Sequence, residues 1–175
     1  MPALLLLSTL VATALMGIGL LEAPAAQAEP ATACLPTPRE VTAADADRAY
    51  ALAERKYGTA VAGGSNRFPA GALTSTSTFV TTNARKWTSG FFPASLWRLY
   101  ERTGDRRWLD TARAYTDRLL PVATYDGTHD LGFMVGLPAG LGAQLDPDPD
   151  RRATYDRAVV TAARTLATRW NPKVG

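Results

Sequence analysis

Apolar and polar positions divide the chain into one unbroken apolar run and, beyond it, a series of segments with helical period. The run is PALLLLSTLVATALMGIGLL, and it gives way to the small and polar residues EAPAAQAEPATA. From Thr42 the spacing turns helical. Thr42 and Asp45 form a capping-box pattern, and Ala49, Leu52, Ala53 and Tyr57 recur on one face before Gly58. The following stretch, GTAVAGGSNRFPAGALTSTSTFVTTNARK, is rich in Gly, Ser and Thr and shows little period apart from a possible short strand at STFVTT. A structureless loop of about thirty residues is unusual in a compact domain unless it lines a site.

Helical spacing resumes at Ser89. Phe92, Leu96 and Leu99 share a face, Pro93 falls in a first turn that tolerates it, and Gly104 stands where a C-terminal cap belongs. Asp105 can cap the next helix at once, with Trp108, Ala112, Tyr115 and Leu119 as its apolar stripe. The short connection predicts a tight αα-hairpin. LGFMVGLPAGLGAQL is apolar throughout and carries four glycines and a proline. Each interior glycine costs a helix ~1 kcal/mol relative to alanine, so their number predicts close packing on all sides. After the turn DPDPD, Tyr155, Val159, Ala162, Leu166 and Trp170 form a last stripe. DRRWLDTARAYTDRLL and DRRATYDRAVVTAARTL share enough to suggest a weak repeat of helical hairpins. An apolar helix followed by an amphipathic one suits a two-layer ring, and the predicted class is all-α.

An apolar core followed by Ala26-Gln27-Ala28 matches a secretory signal, residues 1–28, cleaved after Ala28. No Lys or Arg precedes Arg39, so the basic start of such signals is missing. An uncleaved anchor and a lipid on Cys34 are the alternatives, the latter weakened by the lack of a large aliphatic residue in Ala31-Thr32-Ala33. Residues 29–40, EPATACLPTPRE, read as a linker, and 41–175 as the domain. The protein is therefore expected outside the cytoplasm, with no stable membrane partner after cleavage. One cysteine forms no internal disulfide, so packing must supply the stability. The net charge of +3 is modest and its basic residues are interleaved with acidic ones, which argues against nucleic-acid binding and leaves an anionic small ligand possible.

His129, the only histidine, lies beside Asp130 at the start of the glycine-bearing segment. One reading makes Asp130 a helix cap and His129 incidental. The other makes the carboxylate and imidazole a substrate-polarising pair. A zinc site is not expected, because no other His and only one Cys are available. Trp87, in RKWTSGFFPASLW, closes the long polar loop, where its face could stack on a sugar, although aromatic clusters at helix starts are commonly core. No nucleophile elbow, phosphate loop or dinucleotide fingerprint occurs.

In order, WTSGFFPASLWRLYERTGD, ARAYTDRLL, THDLGFM and AARTLATRWNPKVG resemble the N-terminal part of the unsaturated glucuronyl hydrolases, glycoside hydrolase family 88, over residues 67–175. The resemblance implies part of an (α/α)6 barrel built of helical hairpins, no cofactor, and action on oligosaccharides that polysaccharide lyases leave with a C4=C5 unsaturated uronic acid at the non-reducing end. Paired-carboxylate displacement at the anomeric carbon is not the chemistry implied. An aspartic acid protonates C4, water adds at C5, and the hemiketal opens to release the neighbouring sugar. By motif, Asp130 matches the first of two essential aspartates, His129 a substrate-binding histidine and Trp87 an aromatic of the sugar site. Lys86 stands where the family often has aspartate. The second, principal acid/base aspartate is expected beyond Gly175, so the 175 residues alone are expected to be inactive. The rivals are an unsaturated galacturonyl (rhamnogalacturonyl) hydrolase and a non-catalytic helical carbohydrate-binding module.

Overall fold

The computed structural model describes residues 40–62, 66–73 and 78–173, and Val41–Gly175 forms one compact unit. The expected signal 1–28, Cys34 and the linker up to residue 39 lie outside the described residues. Among the described residues no helix is long and apolar enough to cross a membrane.

Helix α1, Ala43–Ala62, begins at the predicted capping box. The Thr42 N–H donates to Asp45 Oδ2 at 2.9 Å and the Asp45 N–H returns to Thr42 Oγ1 at 3.3 Å. The helix runs through Gly58 rather than ending there, because that glycine keeps a right-handed backbone and so does not act as a cap. Its core-facing positions are Tyr50, Ala53, Tyr57, Ala60 and Val61. Ala49 and Leu52, expected on that face, instead line an open groove.

Among the described residues the expected all-α class holds except for one two-stranded antiparallel hairpin, β1 (Phe68–Ala72) with β2 (Phe79–Thr82). Strand β2 is the short strand expected at STFVTT. Strand β1 escaped the sequence reading because Pro69 and Gly71 are poor strand residues, and the register slips between these two positions. Phe68 anchors the hairpin in the core, edge-on to Tyr115 with ring centroids 5.7 Å apart.

Two helical hairpins follow. Helix α2 (Phe91–Thr103) ends at Gly104, whose φ of 66° is the left-handed cap, and its N–H closes on the Tyr100 carbonyl at 2.8 Å. Asp105 caps α3 (Arg106–Asp117) by accepting from the Arg107 N–H at 2.8 Å. All four residues of the predicted α3 stripe, Trp108, Ala112, Tyr115 and Leu119, are buried. Helix α4 (Leu137–Leu145) turns through Asp146–Asp148 into α5 (Pro149–Ala167). Here the DRR repeat slips out of register. Asp148 caps α5 by accepting from the Asp150 and Arg151 N–H groups, so Asp150 sits inside the first turn while Asp105 is itself a cap. In α5, Tyr155, Ala158 and Ala162 are buried, whereas Trp170, expected on the stripe, is exposed beyond the helix end.

Helices α2 and α4 pack on one another, and α3 and α5 pack against them from outside, the inner and outer layers of an α/α-barrel arrangement. Gly142 lets α4 approach. A Cβ there would meet Tyr155 at 2.6 Å and Trp97 at 3.0 Å. The other glycines of the segment do not bear out all-round packing, since Gly132 and Gly140 face open space. Trp97 is fully buried and donates its Nε1–H to Thr116 Oγ1 at 3.0 Å, tying α2 to α3.

Candidate functional site

The entrances to the two inner helices are held together. Before α2, the Asn83 side chain accepts from the Arg85 N–H at 2.9 Å, and Ser89 Oγ donates to the Ala84 carbonyl at 3.0 Å, so residues 83–90 form a tight corner that ends in a 3-10 turn, Trp87–Gly90. Before α4 lies a π-helical turn, Gly132–Gly136, closed by the Leu137 N–H on the Gly132 carbonyl. Such five-residue turns widen a helix and are frequent at functional sites. Pro138, which lacks an N–H, comes one residue after this wider turn, behind Leu137. The corner and the π turn meet at Gly90, where a Cβ would lie 1.9 Å from the Phe133 carbonyl oxygen. A second link is the Arg85 guanidinium, 5.0 Å from the centre of the Tyr125 ring.

Trp87, 53% exposed, lies edge-on to Phe91 at 5.8 Å and to Phe133 at 6.3 Å, while Phe91 and Phe133 stack at 5.6 Å with planes 26° apart. All three rings keep more than a third of their surface in solvent. An exposed aromatic trio is costly in water and well suited to a sugar face. Phe91 belongs to the aromatic cluster that the sequence showed after Trp87 and weighed mainly as core, whereas Phe133 was not singled out.

The Phe133 and Met134 N–H groups donate to the Asp130 carbonyl at 2.9 and 3.0 Å, which puts Asp130 at the start of this helical segment as expected. Its side chain does something else. Among the described residues no backbone N–H donates to the Asp130 carboxylate. Oδ2 instead accepts from Thr128 Oγ1 at 2.7 Å, and Oδ1 lies 3.3 Å from His129 Nε2. The cap reading therefore holds for the position and fails for the carboxylate. His129 is 83% exposed on its side chain, against 20% for Asp130. A contact this open contributes little to stability. The structure thus brings His129 and Asp130 into contact and reaches Trp87 through Phe133.

The perturbed titrations lie elsewhere, in the packing of the outer helices. Asp146 is fully buried and takes a two-pronged grip from Arg113 on α3, with Nε to Oδ2 at 2.9 Å and Nη2 to Oδ1 at 2.5 Å. Burial pushes its carboxyl up, but Arg113 and the Asp148 N–H together hold it below the ordinary range. Tyr155 is pushed up by burial and by Asp117, which accepts its hydroxyl at 2.9 Å. Perturbed groups often mark sites; these bridge α3 to α5 and to the α4–α5 turn and are structural. An apolar groove of about 680 Å³ between α1, the β-hairpin and α2 reaches Phe91 but includes neither His129 nor Asp130.

No protein-family model matches the chain. An unsaturated glucuronyl hydrolase of Formosa agariphila is 35% identical over 111 residues, 63% of this chain and 27% of that protein. One from Bacillus sp. strain GL1 is 30% identical over 101 residues, 55% and 26% of the respective chains. Among solved structures, an unsaturated glucuronyl hydrolase specific for heparin superposes with a TM-score of 0.54 at 31% identity, covering 62% of this chain and 28% of that one. The chain spans about a quarter of the length of these relatives.

Proposed function

We propose, from the premise that this chain is a relative of the unsaturated glucuronyl hydrolases in sequence and fold, that the protein removes a C4=C5 unsaturated glucuronic acid from the end of lyase-cleaved oligosaccharides. The observation that carries the reading at the site is the Asp130 carboxylate. It sits at the entrance of an inner helix, turned away from the backbone donors and towards His129, one turn before an exposed aromatic trio.

In the proposed reaction the vinyl ether is hydrated. A proton goes to C4 and a water oxygen bonds to C5, forming a hemiketal. The ring C5–O bond then breaks to leave a C5 ketone and a hemiacetal at C1, which expels the neighbouring sugar. Trp87, with Phe91 and Phe133 beside it, supplies apolar surface for a sugar face. His129 and Asp130 bind polar groups of the unsaturated ring, and Asp130 supports the proton transfer. Protonation of C4 is assigned to a second carboxylic acid. Export by way of residues 1–28 completes the proposal, with a mature chain beginning at Glu29.

The test is consumption of a Δ4,5-unsaturated glucuronyl disaccharide by the native protein, followed as loss of the double bond's ultraviolet absorbance. Consumption by the wild type and its loss in Asp130→Asn support the reading. A wild type that leaves the disaccharide intact, or an Asp130→Asn variant as active as wild type, refutes it.

A further inference from the structure

We infer that Thr128 is a positioning residue that holds the Asp130 carboxylate in its working orientation, an inference that rests on the function proposed above. An aspartate at a helix start has a ready alternative. Its carboxylate can fold onto the free backbone N–H groups of the first turn, where both hydrogen bonding and the helix dipole favour it. In this protein it does not, and Thr128 is the visible reason.

The Thr128 hydroxyl has one hydrogen and two lone pairs, and the structure uses both functions on one residue. The hydrogen goes to Asp130 Oδ2 at 2.7 Å, while a lone pair accepts the Asp130 N–H at 3.1 Å. These two bonds close a small ring through the backbone, so the Asp130 side chain cannot rotate onto the helix end without breaking the first of them. The held oxygen is Oδ2, which leaves Oδ1 on the side of His129. Thr128 is itself partly buried, which shields the hydroxyl from exchange with water. His129 cannot do the same work, being almost wholly exposed.

The test compares Thr128→Val, which keeps the shape and loses the hydroxyl, with Thr128→Ser, which keeps the hydroxyl and loses the methyl. Steady-state kinetics on the Δ4,5-unsaturated disaccharide and thermal unfolding are measured on the full protein. Thr128→Val is expected to lower kcat by about tenfold, the rate equivalent of one hydrogen bond to a charged group, with KM little changed. Its Tm should change little, because loss of the acceptor for the Asp130 N–H is offset by the released carboxylate capping the helix. Thr128→Ser should stay within a few-fold of wild type. A merely structural role for Thr128 predicts a lower Tm in the valine variant and no preference for serine. Should the valine variant fail to fold, Thr128→Ala measured beside Thr128→Ser decides the same point. The inference is overturned if the hydroxyl-free variants keep wild-type kcat, or if serine rescues no better than valine or alanine. A wild type inactive on the disaccharide fails the functional proposal first and this inference with it. An active wild type with an inactive Asp130→Asn but an unaffected Thr128→Val fails this inference alone.

Discussion

Replacing Gly90 by alanine adds one methyl group at the joint between the two inner-helix entrances. That carbon would stand 1.9 Å from the Phe133 carbonyl oxygen and 2.8 Å from that of Met134. Both obstructing atoms belong to the backbone of the π turn, so no side-chain rotation relieves the clash. Gly90 has φ −83° and ψ −16°, which suit alanine, and the cost is purely one of contact. Overpacking of this kind costs about 1–3 kcal/mol. Against it stands at most ~1 kcal/mol of gain from replacing a glycine in helical conformation, so the net sign is destabilising. For a domain of this size each kcal/mol moves Tm by roughly 3–5 °C, and a fall of several degrees is expected. Because Phe133 donates to the Asp130 carbonyl, the same push reaches the carboxylate, and a misplacement near 1 Å can cost on the order of a hundredfold in rate. Thermal unfolding followed by circular dichroism, with kcat/KM on the unsaturated disaccharide, reads both effects. Gly140→Ala is the control, since nothing lies within 4 Å of its added carbon; it should be neutral or slightly stabilising. A Gly90→Ala protein with Tm and kcat/KM like those of Gly140→Ala would refute the reasoning.

Three further outcomes are expected. Asp146→Asn should cost about 3 kcal/mol in urea unfolding, because it leaves the largely buried Arg113 guanidinium with only the half-exposed Asp110 carboxylate, 3.9 Å away; a loss below about 1 kcal/mol would count against that role. The Asp146 carboxyl is held below its ordinary value when folded, so the unfolded state binds the extra proton first. Its contribution is whole above about pH 4 and is lost as pH falls through the folded value, and acid unfolding of Asp146→Asn should be correspondingly shallower than that of wild type. Thr116→Val removes the acceptor of the buried Trp97 Nε1–H and should cost about 1–3 kcal/mol, read from the denaturation midpoint. Trp87→Ala should raise KM for the disaccharide several-fold with little change in Tm, since the ring is half exposed; an unchanged KM would remove Trp87 from the sugar surface.

Much of the framework was legible along the chain because it depends on neighbours in sequence. The capping box at Thr42 and Asp45, the left-handed stop at Gly104, the Asp105 cap and the α3 stripe each rest on residues within a few positions of one another. Where the reading slipped, the deciding partner was distant. Ala49 and Leu52 have the right period for a core face, but the core lies on the side of Tyr50 and Tyr57. Trp170 continues the α5 stripe on paper and falls past the last turn. Strand β1 carries a proline and a glycine and pairs only because β2 lies beside it.

The candidate site divides the same way. From the sequence came the helix start at Asp130, its adjacent histidine, the tryptophan before α2 and the kinship those motifs carry. The Asp130 carboxylate's bond to Thr128 is local, two residues away, and was visible only in the side-chain geometry; only the tertiary structure decided that Phe133 joins Trp87 and Phe91, and that Gly90 must be bare for the two entrances to meet. It also decided that Arg113 and Asp146, 33 residues apart, would carry the buried charge pair. Capping and periodicity are short-range, set by backbone hydrogen bonds within a turn or two. A side chain's rotamer, and the partner of a buried charge, are set by whatever the rest of the fold places against them.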